Sequence, residues 1–225
     1  MQTSSHPRYL IFFAMLVTAL IPIGILAQYR LFPVPHIGDI SATTLSYPFL
    51  CLTFDMIAEL YGFRTSRKIL WLGFISASIM MWVLYAFSQL SMPTILHPIR
   101  TRLYNQAFHH FPRVYFDNSM GLLLSQYLNV YFFGLLQKRF KTQFFVFRSL
   151  VSTWFSDLFC ATVSLFGDYA HMGFTGSHLL LMSIEEVTLG YCIGVLITLP
   201  ANILIRYLKN IEPTPNFSMS FNPFK

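Results

Sequence analysis

The chain has 225 residues, of which 55% are hydrophobic, 17% aromatic and only 11% charged, whereas soluble domains carry about 25% charged residues. This composition excludes an ordinary soluble domain and predicts an integral membrane protein. The net charge of +6 does not indicate a nucleic-acid partner, because the cations lie in short connections between apolar runs, where they orient a membrane protein.

Six apolar runs predict an all-α bundle of six transmembrane helices. The predicted spans are 9–27, 44–61, 69–90, 113–136, 149–169 and 184–207. The first run is long for a signal-peptide core and lacks a small-residue cleavage site, so we expect it to be retained. Residues 1–8 are predicted to be a cytoplasmic N-terminus, 9–208 the membrane domain, and 209–225 a disordered cytoplasmic tail.

The distribution of Lys and Arg predicts the orientation of the bundle. With the N-terminus inside, the inner segments hold eleven cations and the outer segments four. The excess favours both termini in the cytoplasm. The connection 91–116, with three prolines and several aromatic residues, is less regular, and we expect a loop and an interfacial helix there.

The second span carries two carboxylates, Asp55 and Glu59, four residues apart and therefore on one helix face. A carboxylate at membrane depth costs roughly 2.5 kcal/mol or more, so it normally faces a bundle interior or a wet cavity. The pair predicts a substrate or proton site. The alternative for Glu59 is a hydrated position at the cytoplasmic end, near Arg64 or Arg67.

The fourth and fifth spans add further polar side chains. Gln126 and Asn129 share one helix face, and their amides suit either recognition of a heterocycle edge or hydrogen bonding between helices. Ser152 and Ser156 fit close helix packing. Asp157 lies in an apolar context and is predicted to be part of a site.

The sixth span opens with Glu185 and Glu186, which we interpret as a hydrated end whose charges suit the start of a helix. Gly190 and Gly194 form a G-x-x-x-G pair typical of close packing. The three cysteines and the adjacent His109 and His110 lack metal-ligand spacing, and no catalytic motif is present. We therefore predict neither an enzyme nor a cofactor.

Several segments resemble the vitamin uptake transporter family, the queuosine precursor transporters of bacteria. The second span matches that family's signature at eight positions, namely Pro48, Phe49, Asp55, Glu59, Tyr61, Gly62, Arg67 and Lys68. Weaker matches follow at Pro112, Arg113, Gln126, Arg148, Ser152, Thr153 and Pro200. The chain departs from the pattern at Phe54, Asn129, Asp157, Cys160 and Gly190, the last replacing a frequent Lys.

The resemblance implies a six-span fold similar to the substrate-binding components of energy-coupling factor transporters. It implies uptake of a 7-deazaguanine base, in the cyano or the aminomethyl form, across a bacterial cytoplasmic (inner) membrane. Asp55 or Asp157 could also carry a coupling proton, and Phe54 or Trp154 could stack on the base. The predicted substrate-binding residues are Phe54, Asp55, Glu59, Arg113, Gln126, Asn129, Ser152, Thr153, Trp154 and Asp157.

Other functions stay open at this point. The chain could be a binding subunit for another vitamin or purine-like solute that works with a separate ATP-driven module. It could also be a membrane assembly protein or a membrane enzyme acting on lipid. The expected partners are the small-molecule base and membrane lipid, with a homo-oligomer or an energising module left open.

Overall fold

The computed structural model describes residues 8–28, 30–35, 38–90, 111–140, 144–169, 173 and 175–211. These residues form six helices and one β-hairpin. The helices are α1 (Arg8–Gln28), α2 (Thr43–Tyr61), α3 (Phe63–Ser88), α4 (Phe111–Phe140), α5 (Phe145–Tyr169) and α6 (Gly176–Ile211). The hairpin strands are β1 (Leu31–Val34) and β2 (Gly38–Ser41).

Helix α2 forms the centre of the bundle. It contacts each of the other five described helices, which follow one another around it in the order α1, α3, α4, α5 and α6. Every residue from 50 to 60 is buried. Because α2 is enclosed by protein on its sides, its polar residues are screened from lipid, and two carboxylates are tolerated within it.

The other five helices face outwards with apolar side chains. Among the described residues, these five are long and apolar enough to span a membrane, over Tyr9–Ala27, Phe63–Ser88, Asn118–Phe140, Phe145–Gly167 and Gly176–Ile211. Leu196 and Ile203 of α6 are each 71% exposed, and Trp82 of α3 is 62% exposed. Exposed apolar surface of this extent is typical of lipid-facing helices. The second predicted span, α2, is not among these five; it carries Asp55 and Glu59 and is buried among its neighbours.

A single residue, Gly62, separates α2 from α3. Its φ of 87° lies in the left-handed region that glycine adopts without strain. Its N–H donates to the carbonyl of Ala58, which ends α2. Helix α3 then runs beside α2, and the Ser66 hydroxyl donates to the carbonyl of Phe54 (3.1 Å).

Several helices extend further than the sequence predicts. Helix α3 begins six residues before the predicted start at 69, so the cations Arg64, Arg67 and Lys68 belong to its first turns. Similarly, α4 continues through Lys138 and Arg139, and α6 begins at Gly176 instead of 184. The predicted boundaries followed hydropathy, but Lys and Arg are good helix formers and need not end a helix.

The connection predicted between the first two spans contains the hairpin. Its strands are antiparallel, with Leu31 paired to Ser41 and Val34 paired to Gly38. Ile40 is fully buried, and β2 packs against α6. The predicted disordered tail, 209–225, is wrong over 209–211, which belong to α6. Residues 212–225 and most of the 91–116 connection, including His109 and His110, lie outside the described residues.

Candidate functional site

One face of α2 carries a row of side chains at four-residue intervals. We call this row the polar stripe; its members are Tyr47, Cys51, Asp55 and Glu59. Side chains of α4 and α5 bond to the last three members. In chain order these are Gln126, Asn129, Gln137, Arg148 and Ser149. The spacing therefore brings both α2 carboxylates against α4 and α5, and it confirms that Asp55 and Glu59 share one helix face.

Glu59 lies at one end of the stripe in a charged cluster. Its carboxylate accepts hydrogen bonds from Lys209 Nζ of α6 (2.6 Å), Arg148 Nη2 of α5 (2.9 Å) and Gln137 Nε2 of α4 (3.2 Å). The Glu59 side chain is only 1% exposed. The predicted alternative for Glu59, a hydrated position near Arg64 or Arg67, is therefore wrong, because its cations come from α5 and α6. We refer to Glu59, Arg148, Lys209 and Gln137 as the charged cluster.

Arg148 holds the charged cluster together from within the bundle. Its guanidinium is fully buried and lies over the ring of Phe133, with Cζ 5.0 Å from the ring centroid. Its Nε and Nη1 atoms have no hydrogen-bond partner in the described part of the chain. The ion pair with Glu59 and the aromatic face together compensate the buried charge.

Asp55, one turn from Glu59, has neutral hydrogen-bond partners instead. Its carboxylate accepts from Asn129 Nδ2 (3.0 Å) and from the Ser149 hydroxyl (2.5 Å). Asp55, Asn129 and Ser149 are all buried. A carboxylate can accept about four hydrogen bonds, so these two partners leave acceptor capacity unused.

Two amide oxygens add to this surplus of acceptors. Gln126 Nε2 donates to Cys51 Sγ (3.2 Å), yet Gln126 Oε1 has no partner among the described residues. Asn129 Oδ1 likewise has no partner among the described residues, while the Nδ2 of the same side chain donates to Asp55. We refer to Asp55, Asn129, Ser149, Gln126 and Cys51 as the acceptor cluster. Three of its members, Asp55, Asn129 and Gln126, present oxygens that can accept further hydrogen bonds, which is a chemistry suited to a donor-rich ligand.

Asp157 of α5 lies beyond the acceptor cluster, 8% exposed. It makes no hydrogen bond and no ion pair with the rest of the described chain. It interacts electrostatically with Glu186 of α6. Its Oδ2 lies 2.7 Å from the point that a Cβ on Gly190 would occupy. The Asp157 carboxylate therefore lies against the bare backbone of α6 at Gly190. Gly194, the second glycine of the pair, faces Leu150 of α5.

The hairpin approaches α6 beside these acidic residues. The backbone N–H of Ser41 donates to Glu186 Oε1 (2.6 Å), and Glu186 is buried. A Cβ on Gly38 would lie 2.7 Å from Glu185 Oε2. The prediction that both glutamates form a hydrated helix start is wrong for Glu186, because α6 begins at Gly176 and the hairpin covers this turn.

The remaining predicted residues occupy varied positions. Ser152 is buried and donates to the carbonyl of Ser149, while Thr153 is buried on the neighbouring position. Phe54 is fully buried in the core. Trp154 is 41% exposed and packs edge-on against Phe155 on the outer surface, away from the buried polar groups. The side chain of Arg113 lies outside the described residues.

Sequence reasoning missed four residues that bond directly to the α2 carboxylates. Gln137, Arg148, Ser149 and Lys209 all lie at helix ends that hydropathy assigned to connections, span boundaries or the tail. The matched family position at Arg148 was a usable signal. Extending the four-residue spacing of α2 towards Tyr47 would have revealed the rest of the polar stripe.

Two other kinds of site do not compete with the clusters along α2. Among the described residues, no group of three or more His, Cys, Asp or Glu side chains could hold a metal ion. A groove of about 400 Å³ lies between α1 and α6. It is lined by Tyr9, Phe12, Phe13, Leu204 and Leu208, so it suits an acyl chain and not a polar solute. The clusters along α2 are therefore the candidate site.

Comparison with known proteins bears on this site directly. The sequence model of a family described as "Putative vitamin uptake transporter" matches residues 41–205, which is most of the chain. The chain belongs to this family. The resemblance inferred from the α2 motif is thereby confirmed at family level, and the protein is a helical, multi-pass membrane protein of a transporter family. No curated protein and no solved structure matches the chain. The matched range includes every candidate site residue except Lys209.

Proposed function

We propose that this member of the vitamin uptake transporter family imports a queuosine precursor, a 7-deazaguanine base in its cyano or aminomethyl form. The observation that carries the proposal is the surplus of buried acceptors along α2. Asp55 has only neutral partners, and the side-chain oxygens of Gln126 and Asn129 have none in the described chain. A guanine-like edge supplies the complementary N–H donors.

Each residue of the acceptor cluster has a distinct role in this proposal. Asp55 accepts from the ring N–H and the amino group of the base, as a carboxylate with unused lone pairs can. Asn129 and Ser149 orient it through the bonds that they already make. Gln126 Oε1 accepts a further donor. Because the cluster is buried, these hydrogen bonds would form in a low dielectric, where they are strongest.

The charged cluster has a different role. Glu59 joins the ends of α2, α4, α5 and α6 through its three partners. Its charge is compensated by Arg148 and Lys209. We therefore assign Glu59 to holding these helices together beside the binding site and not to contact with the base.

We further propose that the bundle has six spans, with α2 spanning the membrane in addition to the five outer helices. We propose that it resembles the substrate-binding components of energy-coupling factor transporters. The excess of Lys and Arg on one side supports cytoplasmic termini. The membrane is then the bacterial cytoplasmic membrane, across which a precursor must pass to reach the tRNA-modifying enzymes.

The test uses a bacterium that cannot make 7-deazaguanines and lacks its own importer. The chain is expressed in it, precursors are supplied at low concentration, and queuosine in tRNA is measured. We expect restoration by the wild-type chain and loss in Asp55→Asn. Asp39→Asn makes the same change at an exposed hairpin residue and should restore fully. Restoration by Asp55→Asn, with equal protein in the membrane, would overturn the proposed role.

A further inference from the structure

Asp157 is a buried carboxylate without a compensating cation in the described structure. It is 8% exposed and makes neither a hydrogen bond nor an ion pair with the other described residues. The charged group with which it interacts is a second carboxylate, Glu186. Arg148 and Lys209 are both engaged by Glu59. An uncompensated carboxylate at membrane depth is costly and usually serves a function.

Gly190 of α6 makes room for this carboxylate. A side chain at position 190 would have its Cβ 2.7 Å from Asp157 Oδ2 and 3.8 Å from Thr44 Cγ2. A carbon and an oxygen that are not bonded to each other do not approach to 2.7 Å, so a Cβ at position 190 would force the carboxylate to move. Asp157 can occupy its position because residue 190 has no side chain. Helices α2, α5 and α6 therefore meet around the Asp157 carboxylate with bare backbone on one side.

A second polar group near Asp157 also lacks a partner. The Tyr47 hydroxyl of the polar stripe is buried and makes no hydrogen bond with the described chain. Ser125 lies nearby, but its hydroxyl donates to the carbonyl of Leu122 (2.9 Å). Tyr47 interacts electrostatically with Asp157 and Cys160. Its oxygen can accept a hydrogen bond from a donor that Asp157 also binds.

The described groups that interact with Asp157, or lie beside it at Gly190, are acidic or neutral. They are Tyr47, Thr44 and Cys51 of α2, Cys160 of α5, and Glu186 of α6. Such a set of oxygens and thiols favours a positively charged ligand with several N–H donors over an anion or a nitrile. A primary ammonium fits this description, since it carries one positive charge and three donors.

We propose that Asp157, in the space left by Gly190, binds the protonated aminomethyl group of the transported base. This inference rests on the proposed function and specifies its substrate. Cys51 is one helical turn from Asp55 on the polar stripe and interacts electrostatically with Asp157, so both carboxylates lie near Cys51. The base edge is bound at Asp55 and the ammonium of the substituent at Asp157. The aminomethyl form is therefore preferred over the neutral cyano form.

The experiment measures ligand-induced thermal stabilisation of the purified full-length protein. The probes are 7-aminomethyl-7-deazaguanine, 7-cyano-7-deazaguanine, methylammonium chloride and NaCl, all at constant ionic strength. We expect the wild-type protein to bind the aminomethyl base about tenfold more tightly than the cyano base, as one additional charge-assisted hydrogen bond would provide. In Asp157→Asn, the ratio of the two affinities should fall close to one.

Gly190→Ala provides a second test that keeps the carboxylate in the chain but displaces it. The new Cβ would lie 2.7 Å from Asp157 Oδ2, so the carboxylate must shift and the preference for the aminomethyl base should also fall. Gly194→Ala adds the same methyl group one turn away, where its Cβ would make an ordinary 3.8 Å contact with Leu150; it controls for added volume in α6. If both α6 variants lose the preference equally, the assignment to position 190 is overturned.

The remaining outcomes separate this inference from the proposed function. Equal affinity for both bases in the wild-type protein overturns the ammonium site but leaves import of the bases intact. If neither base binds, but methylammonium stabilises the wild type and not Asp157→Asn, the ammonium site stands while the proposed substrate fails. Stabilisation by Na⁺ alone, lost in Asp157→Asn, would assign the carboxylate to a free cation and overturn the proposal as stated.

Discussion

The two carboxylates of α2 are one helical turn apart, yet their surroundings differ. Glu59 is bonded to Arg148 and Lys209, and its charge is compensated within the chain. Asp55 is bonded to an amide and a hydroxyl, and further oxygens near it lack donors. Asp157 differs most from Glu59, since it has neither a hydrogen-bond partner nor an ion-pair partner in the described chain. Compensation by the protein distinguishes a structural carboxylate from one that is available to a ligand.

The largest expected effect comes from breaking the charged cluster. Arg148→Met removes the buried cation and leaves Glu59 with Lys209, whose side chain is 32% exposed. We expect the free energy of unfolding to fall by about 3–5 kcal/mol, as for other buried ion pairs that lose one partner. Thermal unfolding of the purified protein measures the loss.

Arg64→Met is the matched control for this variant, because Arg64 is exposed. Its free energy of unfolding should change by about 0.5 kcal/mol or less. Equal losses for Arg64→Met and Arg148→Met would contradict the structural role of the charged cluster.

The next largest effect concerns the approach of α5 and α6. Gly190→Ala places a Cβ 2.7 Å from Asp157 Oδ2, and overpacking of this kind costs about 1–3 kcal/mol. Gly194→Ala is the control, because its Cβ would make an ordinary 3.8 Å contact with Leu150. Thermal unfolding should show a loss for Gly190→Ala and none for Gly194→Ala.

The loss in Gly190→Ala should depend on the carboxylate that it displaces. In an Asp157→Ala background the same change should be nearly neutral, and a double-mutant cycle measures this coupling. A loss of the same size in both backgrounds would show that Gly190 packs against something other than Asp157.

Removal of the unpartnered carboxylate should have the opposite sign. In the absence of ligand, we expect Asp157→Asn to raise the free energy of unfolding by roughly 1 kcal/mol, because an uncompensated buried charge is replaced by a neutral isostere. Glu59→Gln, the same change at the compensated carboxylate, should lower it. Thermal unfolding of the two variants side by side provides the comparison, and a change of the same sign in both would contradict the distinction between compensated and uncompensated carboxylates.

The smallest effect is expected at Lys209. Its ion pair with Glu59 is short, but its side chain is 32% exposed, so solvent screens the interaction. Lys209→Met should lower the free energy of unfolding by about 0.2–1 kcal/mol, and added salt should reduce the difference between the variant and the wild type. A loss as large as that of Arg148→Met would show that burial does not decide the strength of these pairs.

The sequence was sufficient to predict the parts of this protein that follow from composition and periodicity. The helical bundle is readable from the apolar runs, and the shared face of Asp55 and Glu59 is readable from their four-residue spacing. The family followed from the resemblance of the α2 motif. The position of α2 at the centre is consistent with its two carboxylates, since lipid would not tolerate them.

The partners of those carboxylates could not be predicted in the same way. Arg148 and Lys209 lie 89 and 150 residues from Glu59, and a single sequence gives no information on such distant contacts. The spans predicted from hydropathy also ended before the charged ends of the helices. Gln137 and Lys209 were therefore not predicted to lie in spans or to belong to the site. The hairpin could not be predicted, because each strand is only four residues long and the first contains Pro33.

The most direct test of the account is the binding of a 7-deazaguanine base to the purified protein by isothermal titration calorimetry. We expect saturable binding of 7-aminomethyl-7-deazaguanine to the wild-type chain. We expect loss of binding in Asp55→Asn and retained binding in Asp39→Asn, with both variants folded. Wild-type protein that is folded but does not bind the base, or Asp55→Asn that binds it as tightly, would contradict the claim that the uncompensated acceptors of α2 form the substrate site.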